Sequence, residues 1–302
     1  MGQKTGMIKA KDGDFMGYVN CQLCPRRCGI DRTAGQTGFC GGPATAVVAK
    51  AMLHEWEEPA LSPRGKSGAI FFGGCTLRCK YCQNIAISAR PKGDLYDSAG
   101  LRRLFEALIA RGAENIDLVT PTQYLPTILP ALEPKLPVPV VYNCGGYERA
   151  ETLKMLAGKV DIYLPDLKYA DSALAASLSG AADYFPVAAE AIKEMVRQTG
   201  PVQWDGEKVT KGVIIRHLIL PGQVSNSLRV LDWIGENFAP GEVLVSLMRQ
   251  YTPMPGMTAP YDRTVTDEEY DAVLSWMYLN ELEGFTQEAE GADRAFIPDF
   301  DV

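Results

Sequence analysis

The chain has 302 residues, with 30 Lys or Arg against 37 Asp or Glu, for a formal charge of −7 at neutral pH. That balance argues against a broad nucleic-acid footprint, and no apolar run is long enough to span a bilayer. A hydrophobic content of 46% and a charged content of 22% fit a globular chain of one or two domains with a sizeable core.

Residues 1–19 read as a loose polar leader with no apolar segment, so no signal peptide is expected. Gly6 breaks the myristoylation pattern that Gly2 would open. Cys21, Cys24, Cys28 and Cys40 follow with the spacing C-x₂-C-x₃-C-x₁₁-C. Four soft ligands, with Pro25 and several glycines to turn the backbone, can close a tetrahedral site, and a metal would stabilise a segment too short to bury much apolar area. Zinc, an auxiliary iron–sulfur cluster and free, redox-labile thiols all remain open here. Seven of the eight cysteines fall in two tight groups, which with no export signal suggests metal chemistry in a reducing cytosol.

Residues 45–56 read as a strand or hairpin arm. His54-Glu-Trp-Glu-Glu-Pro59 then reads as a polar turn, though a His beside three carboxylates is also a candidate acid–base or ligand group. Gly68 to Phe72 is a short apolar strand that Gly73 and Gly74 break into a loop. The loop carries Cys75, Cys79 and Cys82, spaced C-x₃-C-x₂-C. Three thiolates in eight residues can grip one face of a cubane [4Fe-4S] cluster but leave one iron open for another ligand.

From there helix and strand alternate. Leu101, Leu104, Phe105, Leu108 and Ile109 fall at helical spacing, closed by Gly112. Strands are expected at Ile116–Val119, Val138–Tyr142, Val160–Leu164, Val213–Leu220 and Val243–Met248, and helices at 124–132, 148–156, 172–179, 187–199 and 228–238. Thr266 and Glu269 form a capping-box pattern for a helix running to about Leu282. Six strands alternating with helices imply parallel βαβ units and a partial (β/α)₆ barrel over 66–284, of TIM-like α/β class. The Cys-rich N-terminal extension covers 1–65, and an acidic, weakly patterned tail covers 285–302. The working face of such a barrel lies at the C-terminal strand ends. Those ends carry the three loop cysteines, Thr120 and Thr122, Asn143 and Cys144, Asp166 and Lys168, then Arg216 and His217, and Arg249 and Gln250. Cys144 reads as a small buried hydrophobe, and His217 is open between a core histidine and a site residue.

Cys75-x₃-Cys79-x-Tyr81-Cys82 after a strand resembles the radical S-adenosylmethionine (SAM) superfamily, and Gln83-Asn84 is similar to the branch of the pyruvate formate-lyase activating enzymes. The likeness spans roughly residues 20–255. With Cys-x-Leu-Cys-Pro-Arg26, Val119-Thr-Pro-Thr122, Tyr142-Asn-Cys-Gly-Gly146 and Tyr163-Leu-Pro-Asp-Leu-Lys168, it resembles the PflX-type iron–sulfur proteins. The resemblance implies a radical SAM barrel and an enzyme in which the cluster reductively cleaves SAM to methionine and a 5′-deoxyadenosyl radical that abstracts hydrogen. It implies that Lys168 meets the SAM carboxylate beside Asp166, that the Thr120 segment with Thr122 offers acceptors to the ammonium, that the adenine stacks near Tyr81, that a residue of Arg216-His217 touches the nucleoside, His217 being the candidate, and that Asn84 and Asn143 are among the cofactor-binding residues. A Gly-Gly-Glu stretch usual in the superfamily is replaced here by Leu118-Val-Thr-Pro-Thr122. The implied partners are a flavodoxin- or ferredoxin-type one-electron donor and a glycyl-radical protein substrate. A small-molecule or peptide substrate is the alternative, and an iron–sulfur electron-transfer or metal-carrier protein is the non-enzymatic one.

Overall fold

The computed structural model describes residues 17–55, 58–63, 65–287 and 300. Most of the polar leader, residues 56–57 of the acidic turn after His54, and most of the acidic tail lie outside the described residues. Among the described residues one ten-stranded sheet organises the fold. Its strands are β1 (Ala46–His54), β2 (Lys66–Phe72), β3 (Asp94–Tyr96), β4 (Ala113–Val119), β5 (Val140–Cys144), β6 (Ile162–Pro165), β7 (Gln203–Asp205), β8 (Lys208–Leu218), β9 (Leu244–Met248) and β10 (Gly284–Thr286). The spatial order is β10-β9-β8-β6-β5-β4-β2-β1-β3, with β7 hairpinned onto β8. From β2 to β10 the main path is parallel throughout. β1, β3 and β7 run antiparallel to their partners.

The expected α/β architecture is observed, as an open, mostly parallel sheet. It starts earlier than residue 66, because β1 from the extension pairs with β2, and β10 adds a parallel strand at the expected end of the barrel. The helices between strands are α1 (Ile85–Ser88), α2 (Ser98–Ala110), α3 (Leu125–Ala131), α4 (Ala150–Leu153), α5 (Ser172–Ser179), α6 (Tyr184–Thr199), α7 (Val224–Asn237) and α8 (Asp267–Leu279). Local sequence explains their ends. Asp97 and Asp171 cap α2 and α5 by accepting the amides of Gly100 and Leu174, and Thr266 and Glu269 form the capping box of α8.

Both faces of the parallel strands are buried, as a near-continuous apolar run requires. Ile70, Phe72, Leu118, Tyr142 and Ile215 pack in one core with Phe105 of α2 and Ile192 of α6. The alternate residues Val141, Leu164, Ile214 and Leu244 fill the opposite face, while Ala69 and Phe71 join Phe300 there. This inner face ends, at the C-terminal strand ends, in a cavity.

Candidate functional site

The cavity measures about 230 Å³. Cys75, Cys79 and Cys82 open into it from the loop after β2, and Tyr81 and Asn84 line it from the same loop. Thr120 after β4, Asn143 in β5, and Asp166 and Lys168 after β6 complete the site residues expected there. Thr120 is a β-branched residue at φ +58°, a costly conformation held by two loops. Its amide donates to the Asn143 carbonyl at 2.8 Å, and its own carbonyl accepts from Gln123 Nε2 at 2.9 Å. Gln123 Nε2 also lies 3.2 Å from the carbonyls of Gly73 and Gly74, so one amide ties the β4 loop to the cysteine loop.

The charges are arranged around Asp166. Its Oδ2 accepts from Lys168 Nζ at 2.5 Å and its Oδ1 from Arg216 Nε at 2.9 Å. Arg216 Nη2 donates to Asn143 Oδ1 at 2.6 Å. Burial works against the Asp166 carboxylate, but Arg216 and Lys168 outweigh it and hold its pKa below the usual range. Asn143 in turn donates from Nδ2 to the buried Asp117 carboxylate at 3.3 Å, so a second carboxylate stands behind the cluster.

Two expected site residues stand elsewhere. His217 is fully buried on the opposite face of β8 from Arg216: its Nδ1 is 2.7 Å from the Leu167 carbonyl and its Nε2 2.9 Å from Ser227 Oγ. Burial pushes its pKa down to about 4, and it does not line the cavity, where the sequence reading had placed it. Thr122 sits in a 3-10 turn, Thr122–Tyr124, that carries it behind the strand end. Its hydroxyl donates to Glu148 Oε1 at 2.7 Å, and Tyr142 OH donates to Thr122 Oγ1 at 3.1 Å. Burial pushes the Glu148 carboxyl up to about 8. Arg216 and Gln250 do line the cavity. Sequence placed Arg216 beside His217 in one strand without showing which of the two turns inward, and placed Gln250 at a strand end without a role.

The donor set around the three cysteines suits a cluster. The amides of Leu77 and Arg78 point at Cys75 Sγ at 3.3 and 3.5 Å, and Ser88 Oγ donates to Cys82 Sγ at 3.4 Å. Such donors stabilise thiolate and sulfide charge. Without a cation the group resists ionisation: burial, then Cys82 and Cys79, push the Cys75 thiol up to about 12. Coordinated iron reverses that preference. Tyr81 anchors the loop, its ring 6.5 Å from that of Tyr169 and 5.9 Å from that of Tyr251, with its hydroxyl 2.7 Å from Tyr169 OH.

Cys21, Cys24, Cys28 and Cys40 lie in the segment that packs over this end of the sheet. Arg27 N bonds to the Cys24 carbonyl at 3.0 Å in a tight turn, and Phe39 N points at Cys28 Sγ at 3.4 Å. Burial, with Cys40 and Cys21 close by, pushes Cys24 up to about 12. Among the described residues no three His, Cys, Asp or Glu side chains converge on a single ion.

No family model matches the chain. It is 29% identical over 247 residues to an uncharacterized protein of Methanocaldococcus jannaschii, covering 78% of this chain and 67% of the relative. A second uncharacterized protein of that archaeon is 28% identical over 228 residues, covering 69% of this chain and 62% of the relative, so the chain spans about two thirds of these proteins. A radical SAM methyltransferase from Sphaerobacter thermophilus superposes with a TM-score of 0.53 at 14% identity, over 76% of this chain and 69% of the other. The fold is therefore shared with that enzyme. Among the described residues no helix is long and apolar enough to cross a membrane.

Proposed function

We propose that the protein is a radical SAM enzyme. The observation that carries this reading is that Cys75, Cys79 and Cys82 open into the same strand-end cavity as the Asp166–Lys168–Arg216 charge cluster. When bound, a [4Fe-4S] cluster supplies one electron to the sulfonium of SAM, giving methionine and a 5′-deoxyadenosyl radical that takes a hydrogen atom from substrate. The chain's residues position and enclose that chemistry. The three cysteines hold the cluster, and the Leu77 and Arg78 amides steady its charge at Cys75. Lys168 offers its ammonium to the SAM carboxylate, and Asp166 orients both Lys168 and Arg216. The strained Thr120 turns toward the SAM ammonium, while Tyr81, Asn84 and Asn143 bound the nucleoside.

The electron donor in this reading is an external flavodoxin- or ferredoxin-type protein. The substrate we favour is a glycine of a partner protein, on the likeness of Gln83-Asn84 and Asp166-Leu-Lys168 to the activating enzymes. The N-terminal cysteines are read as a second metal centre.

Anaerobic reconstitution tests the reading. The protein should bind iron and sulfide, give a reduced-cluster EPR signal that changes on adding SAM, and release 5′-deoxyadenosine after dithionite reduction. If replacing Cys75, Cys79 and Cys82 together by Ala leaves that signal and its SAM response intact, the reading is wrong. A wild-type protein that holds a cluster but ignores SAM would instead be an electron-transfer or metal-carrier protein.

A further inference from the structure

Arg26 belongs to the four-cysteine segment, yet its guanidinium is spent on the other cysteine loop. Nε donates to the Thr76 carbonyl at 3.0 Å and Nη2 approaches the Leu77 carbonyl at 3.5 Å. The remaining donors bind the end of α5, with Nη1 2.6 Å from the Gly180 carbonyl and Nη2 3.0 Å from that of Ser179. The guanidinium lies 4.0 Å from the ring centroid of Phe39 and 5.2 Å from that of Tyr147. A planar fork between aromatic faces, aimed at carbonyls of two segments, is a geometry that Lys cannot copy.

The two carbonyls on the cysteine loop have a covalent consequence. A trans peptide unit is planar, with its C=O and N–H pointing opposite ways. The Thr76 carbonyl shares its plane with the Leu77 amide, and the Leu77 carbonyl shares its plane with the Arg78 amide. Those are the two amides directed at Cys75 Sγ. Arg26 thus grips two successive peptide planes by their oxygens, and their hydrogens face the sulfur. The second plane leads into Arg78, whose φ of +54° is one that a non-glycine residue adopts only when held.

We propose that Arg26 is a positioning residue that sets the N–H···S donors of Cys75, and through them the reduction potential of a cluster held there. The second half of this statement rests on the radical SAM reading; the first does not. Hydrogen bonds to cluster sulfurs stabilise the more negative, reduced state, so losing them moves the potential downward.

Arg149 gives the control. Its Nη1 donates to the Gln22 carbonyl at 2.5 Å and ties the same segment down, with no hydrogen bond to the cysteine loop among the described residues. Amide hydrogen exchange on the metal-free protein comes first. In Arg26→Ala the amides of Leu77 and Arg78 should exchange at least about tenfold faster, the effect of one lost charge-assisted hydrogen bond. In Arg149→Ala they should exchange as in wild type. Exchange that is unchanged in Arg26→Ala, or equally raised in both variants, overturns the proposal. In the reconstituted protein, redox titration followed by EPR should show a more negative midpoint for Arg26→Ala and no shift for Arg149→Ala, with Arg26→Lys between wild type and Ala. A loaded Arg26→Ala protein with the wild-type midpoint would sever the link to potential. A wild-type protein that takes up no cluster sinks the radical SAM reading and leaves the exchange test standing.

Discussion

Lys168 and Asp166 form an ion pair in the cavity wall, with Nζ 2.5 Å from Oδ2 although the residues are only two apart in sequence. The pair is held as a unit, since Asp166 also carries Arg216. Replacing Lys168 by Ala leaves Asp166 paired and should leave the fold and the cysteine loop in place. Affinity for SAM should fall about ten- to a hundredfold, the value of a charge-assisted hydrogen bond of roughly 1.5–3 kcal/mol. Equilibrium titration of reconstituted protein measures this, and an unchanged dissociation constant would assign Lys168 to wall structure alone.

The pH dependence of stability should carry two opposed components. His217 has a folded pKa of about 4 against 6.5 for the free side chain. Between those values the unfolded chain holds the extra proton, so stability falls as pH drops from 6.5 toward 4, by up to roughly 3 kcal/mol. Glu148 has a folded pKa of about 8 against 4.5. There the folded state holds the extra proton, and stability falls as pH rises from 4.5 to 8, by up to roughly 5 kcal/mol. Urea midpoints across this range should show that Glu148→Gln removes the loss between 6.5 and 8 and unmasks the acid loss, because in the wild type the two opposed slopes nearly cancel between 4.5 and 6.5. An identical alkaline slope in the variant would refute the assignment to Glu148.

Gly146 holds the wall at Asp166. Its φ is +78°, and a Cβ placed on it would lie 2.0 Å from the Asp166 carbonyl oxygen, a backbone atom that cannot swing away. Gly146→Ala combines a left-handed penalty with a backbone clash and should cost about 2–5 kcal/mol. Gly158 has a similar φ of +76° with nothing within 4 Å. Gly158→Ala should therefore show the conformational part alone, about 1–2 kcal/mol, and denaturation of the two variants side by side separates the terms.

The N-terminal centre is tested by metal analysis of the variant lacking Cys75, Cys79 and Cys82. Residual iron and sulfide would identify a second cluster at Cys21, Cys24, Cys28 and Cys40, and stoichiometric zinc would identify a structural ion. Four freely titrating thiols with no metal would reject a centre there.

The parts of the fold that follow periodicity were legible in the chain. Strand–helix alternation gave the parallel order, and Thr266 and Glu269 gave the cap of α8 because capping is a local interaction. The strand expected at 138–142 lies at Val140–Cys144, two residues on, which places Asn143 and Cys144 inside it. The short edge strands β3 and β7, three residues each, have too little pattern to read. His217 was misplaced because β8 is apolar on both faces, and a run without alternation does not say which of two adjacent polar residues turns inward. The reach of Arg26 to Gly180, 154 residues away, has no sequence signature at all.

Tyr81 sits between Tyr169, which follows β6, and Tyr251, which follows β9, while Gln83 Nε2 holds the Gln250 carbonyl at 3.0 Å. Three loops that are distant in the chain are thus keyed together at one ring. Displacing any one of these loops would break its contacts with the other two. The outline of the cavity mouth is thus set jointly by the loops after β2, β6 and β9, and a substitution at Tyr81 reaches all three.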